Sequence, residues 1–312
     1  MTIRVGLIGF GKIARDQHQP AIAADPRFDL AAVSARSGDP DIGVPWFVEA
    51  ADMFSAMAEQ LDAVAICTPP GARPAIARAA IDAGLAVLLE KPPAATLGEI
   101  AALEAYARDK GGCLYAGWHS QHAPAVAPAA AALRAADSIA RLEIAWREDV
   151  CKWHPGQDWI FEPQGFGVFD PGINALSIAS AILPVPLIVE SATLEIPANR
   201  QAPIAAQITF AGGSHTADFD FRYTDGEEWS ISVETGDRRR VELREGGARL
   251  IIDGAEQVLG PRAEYPAMYA RFAELMAASQ VEVDREPLRI VADAFLAARR
   301  TSVAPFLWTG ES

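Results

Sequence analysis

The sequence predicts an α/β protein that begins with a doubly wound parallel sheet and continues into an α+β domain with a large, mostly antiparallel open sheet. Three observations predict this fold class. The first third alternates short apolar runs with Ala-rich amphipathic stretches, the later part alternates apolar and polar residues within successive runs, and 312 residues exceed the usual length of one domain. We place the domains at residues 1–122 and 123–312.

The first domain is predicted from its alternating elements. Apolar runs that read as buried strands lie at residues 3–8, 28–33, 63–67, 86–89 and 113–116. Amphipathic stretches that read as helices lie between them, at residues 12–24, 73–83 and 97–110. Because parallel strands need a crossover connection, this order predicts a parallel sheet with helices on both faces.

The second domain has a different pattern. Helices are predicted at residues 125–136, 171–183, 265–278 and 287–300. Strands are predicted at residues 140–146, 187–195, 204–210, 216–223, 228–234, 240–244 and 250–253. Alternating strands indicate an antiparallel sheet with one covered face. The other face is broad enough to pack against a second copy, so we expect a homodimer formed through this sheet.

Charge and composition exclude several classes of protein. The net charge of −14 argues against a nucleic-acid-binding protein, which usually carries a basic face. No apolar stretch is long enough to span a bilayer, and the N-terminal segment lacks the pattern of a signal peptide, so we expect a cytoplasmic protein with no membrane partner. Cys67, Cys113 and Cys151 are too scattered for a disulfide framework, and we expect all three to be buried.

The segment Gly9-Phe-Gly-Lys-Ile-Ala14 has the form of a dinucleotide-binding turn. Gly9 permits the sharp turn after the first strand, and Gly11 lets the backbone approach a pyrophosphate. The amides of Lys12 and Ile13, at the start of the next helix, can then point at the phosphates. Because the motif lies directly between a strand and a helix, it predicts an N-terminal Rossmann domain.

The end of the second strand bears on the choice of cofactor. An NAD-specific site usually carries an acidic residue there, but this chain has Ser34 and Arg36. A hydroxyl and a guanidinium suit a 2′-phosphate, so the sequence favours NADP, with NAD as the alternative. Arg36 could also be a simple exposed loop cation.

Two further strand ends carry candidate cofactor contacts. Glu90, Lys91 and Pro92 follow the strand at 86–89, and Thr68 and Pro69 follow the strand at 63–67. Ligands of open α/β sheets bind at the edge where these strands end, so Lys91 is expected beside the nicotinamide ring. The Lys91–Pro92 bond is a candidate cis peptide.

Together, these motifs resemble the glucose-fructose oxidoreductase/inositol dehydrogenase family (Gfo/Idh/MocA). The resemblance includes the glycine-rich segment from Gly165 through Asp170-Pro-Gly-Ile-Asn174. Within the family, the segments beginning at Trp118, Trp146 and Trp153 are similar to bacterial aldose 1-dehydrogenases that act on L-arabinose and D-galactose. The resemblance implies oxidation of the anomeric carbon of an aldopyranose to the aldonolactone, with hydride transfer to NAD(P)+.

The resemblance also implies a set of sugar contacts. Residues 146–159 combine polar groups for hydroxyls with aromatic rings for the C–H face of a pyranose. The implied contacts in this segment are Glu148, Trp153 and His154, and His119 is expected to contact cofactor and substrate.

The sequence departs from the family's pattern at one position. Many relatives carry His where this chain has Asn174, and an amide cannot exchange a proton. The base is therefore Asp170 or a neutral Lys91. We favour Asp170, with Lys91 donating a hydrogen bond to the same oxygen and Asn174 orienting the sugar.

Other interpretations of these residues remain open. Asp170 could simply cap a helix that begins at Pro171, and His18 and His122 are expected to be surface or cap residues. We expect no metal site, because His119 and His122 have no Cys or carboxylate nearby. The chain could instead be a non-catalytic NAD(P)/sugar sensor, or an oxidoreductase acting on another sugar or on inositol.

Overall fold

The structure is a computed structural model that describes residues 2–308, so the outermost ends of the predicted domains, residue 1 and residues 309–312, lie outside the described residues. The chain divides into two compact units. Unit 1 comprises Met1–His119 and Glu264–Arg285, and unit 2 comprises Ser120–Ala263 and Glu286–Ser312.

The elements of the first stretch of unit 1 follow one another as strand and helix. In chain order they are β1 (Ile3–Ile8), a π-helical turn (Ala14–His18), α1 (Gln19–Ala24), β2 (Phe28–Ser34), β3 (Trp46–Phe47), α2 (Ala50–Ala56), β4 (Ala63–Ile66), α3 (Arg73–Asp82), β5 (Ala86–Glu90), α4 (Leu97–Asp109) and β6 (Leu114–Gly117). The predicted strands and helices of this stretch are confirmed, whereas β3 and α2 were not predicted.

The long middle stretch forms most of unit 2. In chain order its elements are α5 (Val126–Leu133), β7 (Ile139–Arg147), α6 (Val150–Trp153), α7 (Phe169–Ile182), β8 (Val189–Pro197), β9 (Ala205–Phe210), β10 (Ser214–Asp220), β11 (Glu228–Thr235), β12 (Arg240–Arg244), β13 (Arg249–Ile252) and β14 (Ala255–Glu256). The chain then forms α8 (Glu264–Ala278) and β15 (Val281–Glu282) in unit 1, and α9 (Glu286–Ala297) and β16 (Ala298–Val303) in unit 2.

The sheet of unit 1 is parallel throughout, in the order β15-β6-β5-β4-β1-β2-β3. This is the doubly wound arrangement that the sequence predicts. Ile8 lies in register with Ser34 and with Ile66, and Ile66 lies in register with Leu89. The residues that follow these positions therefore emerge at the same edge of the sheet.

Helix α8 and the residues of β15 fall within the predicted second domain, but they pack in unit 1, and β15 itself was not predicted as a strand. β15 pairs with β6, and α8 buries an apolar face in the core formed by β1, β2 and their neighbours. The buried residues of this face are Tyr265, Met268, Tyr269, Phe272 and Leu275. Helical periodicity predicts such a face but not the surface that receives it, which is 150 residues or more away in the chain.

Unit 2 contains a nine-stranded sheet in the order β14-β13-β12-β11-β7-β10-β9-β8-β16. Its pairs are antiparallel except β7 with β10 and β8 with β16. Along β7, Leu142, Ile144 and Trp146 are buried while Arg141 and Glu143 are exposed, and α5, α7 and α9 pack against the sheet. The predicted antiparallel sheet with one covered face is confirmed. The predicted helix at 287–300 ends earlier, because Ala298–Val303 pairs with β8 as an edge strand.

Two smaller observations complete the fold. Cys113 is buried as expected, whereas Cys67 and Cys151 are partly exposed, so the prediction that all three are buried was wrong for two of them. Among residues 2–308, no helix is both long and apolar enough to cross a membrane.

Candidate active site

The glycine turn of unit 1 joins three strand ends. Gly9 has a φ of +85°, and a Cβ on it would lie 2.8 Å from the amide nitrogen of Thr68. Its own amide donates to the carbonyl of Ser34 over 2.8 Å. Only glycine combines this conformation with so close an approach. A Cβ on Gly11 would meet no atom within 4 Å, which leaves open space of the kind that a pyrophosphate needs.

The other residues of the turn fit the same use. Lys12 and Ile13 are already helical, and the Lys12 ammonium pairs with Asp16 on the next turn. The hydroxyl oxygen of Thr68 is buried and has no hydrogen-bond partner in the described part of the chain. An orphaned buried hydroxyl is costly unless a ligand satisfies it. These residues therefore fit a bound dinucleotide.

The structure places a carboxylate, that of Glu49, near the predicted 2′-phosphate position. Ser34 is buried and its hydroxyl lies 3.4 Å from the carbonyl of Val48. The Arg36 side chain is 81% exposed, and its guanidinium makes two hydrogen bonds to Glu49, of 3.1 and 3.0 Å. Glu49 follows β3, an element that the sequence did not reveal, and for that reason it was missed.

Glu90 ends β5 as a fully buried carboxylate. Its Oε1 accepts hydrogen bonds from the Tyr265 hydroxyl over 2.7 Å and lies 3.0 Å from Nε2 of His18. Its Oε2 accepts the amide of Lys91 over 2.9 Å. The Lys91–Pro92 bond, which the sequence marked only as a candidate cis peptide, is cis. The Glu90 side chain was predicted to contact the cofactor, but both of its oxygens have hydrogen-bond partners within the protein.

His18 was expected to be a surface or cap residue, and this expectation was wrong. Its imidazole is fully buried, with Nδ1 2.8 Å from the Tyr269 hydroxyl and Nε2 at Glu90. Tyr265 and Tyr269 occupy one face of α8, and Tyr265 stacks on His119 with ring centroids 5.1 Å apart. The pair of tyrosines four residues apart was visible in the sequence, but their partners were not.

His18 and Glu90 form a buried ion pair. Burial alone would raise the pKa of Glu90, but the hydrogen bond and charge of His18, together with His119 and Arg73, hold it well below its usual value of 4.5. Burial would likewise lower the pKa of His18, but its interactions with Cys67, Tyr269 and Glu90 raise it well above 6.5. The pKa of Tyr265 is raised by burial and by the neighbouring carboxylate.

In unit 2, the carboxylates of two predicted site residues converge on the imidazole of a third. His154 follows the short helix α6, Glu148 follows β7, and Asp170 lies in the first turn of α7. Nε2 of His154 is 3.7 Å from Glu148 Oε1 and 3.8 Å from Asp170 Oδ2. Both carboxylates are more than nine-tenths buried. The alternative role of Asp170 as a helix cap is wrong, because α7 begins at Phe169 and Asp170 lies inside it.

Trp229 is a member of this cluster that the sequence analysis missed. Its indole N–H donates to Glu148 Oε2 over 2.9 Å. Its ring packs between those of Trp146 and Trp153, with centroid distances of 5.8 and 5.3 Å. Trp229 also lines a cavity of about 240 Å³ with Glu227, Glu245 and Arg262. Only register across the sheet, Trp229 opposite Trp146, could have revealed it.

Two of the polar atoms of unit 2 that are buried without a partner among the described residues belong to predicted sugar contacts. One is an acceptor, Asn174 Oδ1, one helical turn beyond Asp170, and the other is a donor, Trp153 Nε1. Each such atom costs about 1–3 kcal/mol if it stays unsatisfied. Both belong to residues that were predicted to bind a sugar, whose hydroxyls both donate and accept.

The glycine turn at the edge of a parallel sheet is typical of a dinucleotide-binding domain. Together with the carboxylates buried beside an imidazole, it indicates a nicotinamide-dependent oxidoreductase. The model of the Gfo/Idh/MocA oxidoreductase family, described as an NAD-binding Rossmann fold, matches residues 3–118. The chain belongs to this family, as the resemblance indicated.

Full-length relatives support the same assignment. The chain is 44% identical to galactose 1-dehydrogenase of Pseudomonas fluorescens, over 97% of this chain and 98% of that protein. It is 47% identical to D-galactose-1-dehydrogenase from Rhizobium etli, whose crystal structure superposes with a TM-score of 0.91 over 98% of both chains. The 3-ketoreductase KijD10 of Actinomadura kijaniata, in complex with NADP and TDP-benzene, shares the fold at 19% identity, with a TM-score of 0.81 over 97% of this chain and all of that one.

The ion pair of unit 1 predicts a pH-dependent stability. Because the pKa of Glu90 is lowered on folding, its contribution is present above about pH 4.5 and is lost as the pH falls through the folded pKa. The contribution of His18, whose pKa is raised, is present below about pH 6.5 and is lost as the pH rises through its folded pKa. We therefore expect the loss of Tm caused by Glu90→Gln to be larger at about pH 6 than at about pH 3.

Thermal unfolding of both proteins across this pH range measures the effect. Glu59→Gln removes an exposed carboxylate of the same unit and serves as the control. A Tm difference for Glu90→Gln that did not change with pH would contradict the assignment of a buried ion pair.

Proposed function

We propose that this protein is an aldose 1-dehydrogenase that oxidises D-galactose, with L-arabinose as a second substrate, to the aldonolactone. As the C1–O bond becomes a carbonyl, the proton of the C1 hydroxyl would pass to a base of this chain and C1 would give up a hydride. Bound NAD(P)+ supplies the hydride acceptor. The galactose 1-dehydrogenases that share 44–47% of their residues with this chain support the choice of substrate.

The observation that carries the proposal is the polar cluster of unit 2. A pyranose presents several hydroxyls and an apolar C–H face, so its site needs mixed donors and acceptors beside an aromatic surface. Glu148 supplies a carboxylate, His154 supplies an imidazole, and Trp153 supplies an indole ring. The orphaned Asn174 Oδ1 and Trp153 Nε1 supply an acceptor and a donor that substrate hydroxyls would satisfy.

We propose Asp170 as the base. Its carboxylate is buried and lies 3.8 Å from Nε2 of His154, a second side chain that can exchange protons. Asn174 then orients the sugar, because an amide can hydrogen-bond a hydroxyl without exchanging a proton. Lys91, whose flanking main chain is fixed in unit 1, is the hydrogen-bond donor to the sugar oxygen in this proposal and the base in the alternative.

We expect the wild type to reduce NAD(P)+ with D-galactose and L-arabinose, and Asp170→Asn to lower kcat by about 10²- to 10⁴-fold. Absorbance at the reduced-nicotinamide band, with both cofactors and a panel of aldoses and inositol, measures it. If Asp170 is the base, Asp170→Asn loses the acidic limb of the pH–rate profile, whereas Lys91→Met keeps that limb at a lower rate. Asp137→Asn, at an exposed position before β7, is the matched control.

A near wild-type kcat in Asp170→Asn would reject Asp170 as the base in favour of Lys91. Turnover of inositol or of another sugar, without turnover of D-galactose or L-arabinose, would contradict the proposed substrates. Cofactor binding without turnover of any compound on the panel would favour the sensor.

We propose NADP as the preferred cofactor, with NAD accepted, and infer that Arg36 binds the 2′-phosphate. The support is the exposure of its guanidinium and its position directly after β2. Glu49 already holds this guanidinium, so a 2′-phosphate has to compete with a carboxylate of the same charge.

We therefore expect Arg36→Ala to lower kcat/KM for NADP about 10- to 100-fold more than for NAD, the worth of a charge-assisted hydrogen bond. Glu49→Gln should raise the ratio of NADP to NAD activity. The pair Arg27 and Asp25 provides controls, because it is also an arginine–carboxylate ion pair of unit 1 but lies before β2 rather than after it. Equal losses with both cofactors in Arg36→Ala would contradict the assignment.

We further propose that two copies associate through the uncovered face of the nine-stranded sheet. This face is polar: Arg147 pairs with Asp218 and Glu228, and Thr216 and Ser232 flank Glu143 in register. Sedimentation velocity should give a species of about twice 33.3 kDa. Thr216→Arg, which adds a bulky charge to this face, should shift it towards the monomer. A wild type that sediments as a monomer at high concentration would reject the dimer.

A further inference from the structure

The main chain around Lys91 is fixed by two buried charged side chains. Arg73, at the start of α3, is 5% exposed. Its guanidinium donates to the carbonyls of Glu90, over 2.6 Å, and Pro92, which flank Lys91 on both sides. It also donates to the carbonyl of Thr68 over 2.7 Å. The amide of Lys91 itself donates to the Glu90 carboxylate.

A second set of buried groups fixes Glu90 in turn. The hydroxyl of Tyr265 and the imidazole of His18 meet at Oε1, and Tyr269 supports the imidazole from its other nitrogen. The two groups that contact Oε1 come from opposite ends of the sequence of unit 1, one after the glycine turn and one on α8. The carboxylate can therefore shift only if both elements shift with it.

Stability alone does not account for this arrangement. A buried ion pair is a weak source of stability, because desolvation of the two charges offsets most of their attraction. Replacement of such a pair by apolar side chains is often neutral or stabilising. What the Arg73 guanidinium and the Glu90 carboxylate do supply is geometry, because they make charge-assisted hydrogen bonds to the main chain at Lys91 and on each side of it.

We infer that Glu90, held by Tyr265 and His18, is a positioning residue that sets the place of Lys91 for the reaction. This inference rests on the proposed function only in that Lys91 takes part in sugar oxidation. Misplacement of a reacting group by about 1 Å can cost about 10²-fold in rate. Glu90 itself contacts neither sugar nor cofactor in this role, which differs from its predicted role as a cofactor contact.

Two variants test the inference. Glu90→Gln keeps the shape of the side chain, and we expect kcat to fall about 10²-fold while KM for the sugar and Kd for the cofactor change less than about twofold. Tyr265→Phe removes a single hydroxyl, and we expect kcat to fall about 10-fold with the same pattern. Tyr106→Phe is the matched control, because it removes a hydroxyl that donates to a carboxylate, Asp82, at the surface of the same unit.

Hydrogen exchange at the Lys91 amide provides a readout that needs no turnover. If Glu90 fixes this amide, exchange should be at least about 10-fold faster in Glu90→Gln and Tyr265→Phe than in the wild type, and unchanged in Tyr106→Phe. Cofactor Kd is measured by quenching of tryptophan fluorescence, which is also independent of turnover.

The outcomes separate the inference from the proposed function. A lower Tm with unchanged kcat per folded molecule would overturn the inference, since it indicates structural support alone. A raised cofactor Kd with unchanged kcat would also overturn it, in favour of cofactor contact. If the wild type oxidises no aldose, the proposed function fails, and faster exchange in both variants still supports the positioning of Lys91 whereas unchanged exchange overturns it.

Discussion

The structure of the first unit depends above all on one buried carboxylate, because burying a charge without partners costs a large amount of free energy. Glu90 ends the interior strand β5 at the edge where a dinucleotide would bind, and it is shielded from water. An ionised carboxylate in such a place needs donors on every side. The protein supplies them from the helix after the glycine turn, from the following backbone amide and from a helix encoded 175 residues later. The packing of α8 and the geometry of the strand end thus both serve to supply hydrogen-bond donors to the Glu90 carboxylate.

In the second unit, a buried carboxylate depends on glycine residues that allow close packing around it. Helix α7 carries Asp170 and Asn174, and the loop before it has to pass very close to other backbone. A Cβ on Gly165, in this loop, would lie 2.3 Å from the carbonyl oxygen of Trp159. Within α7 itself, a Cβ on Gly172 would lie 2.9 Å from the ring of Phe219. The close approach lets an acidic side chain enter a nearly dry environment beside His154, where electrostatic interactions are stronger than in water.

Much of the fold follows from local pattern. The strand, glycine turn and helix around Gly9 lie within about 20 consecutive residues, and hydrophobic periodicity located every strand of the parallel sheet except the short β3 and β15. The membership of α8 in the first unit was out of reach, because an amphipathic helix does not reveal its partner. β16 was hidden for a similar reason: an exposed edge strand of Arg, Thr and Ser lacks the apolar alternation on which the prediction depends.

In the candidate site too, some residues were predicted from the sequence, whereas others depend on contacts with distant parts of the chain. Asp170, Glu148 and His154 were found from a resemblance, and the structure brings them together. His18 was misjudged because a lone histidine near a helix gives no sign of a carboxylate 72 residues away. Glu49 and Trp229 were missed because their roles arise from strand pairing, which fixes neighbours that sequence spacing does not.

The return of residues 264–285 to the first unit has a consequence for how the chain folds as it is made. When the ribosome has released only the first 119 residues, the parallel sheet lacks its last strand and the apolar surface that α8 covers is still exposed to water. The second unit is nearly complete in the chain before this gap can close. The N-terminal unit therefore cannot complete its core until residue 285 has been synthesised, so its folding overlaps that of the second unit instead of preceding it.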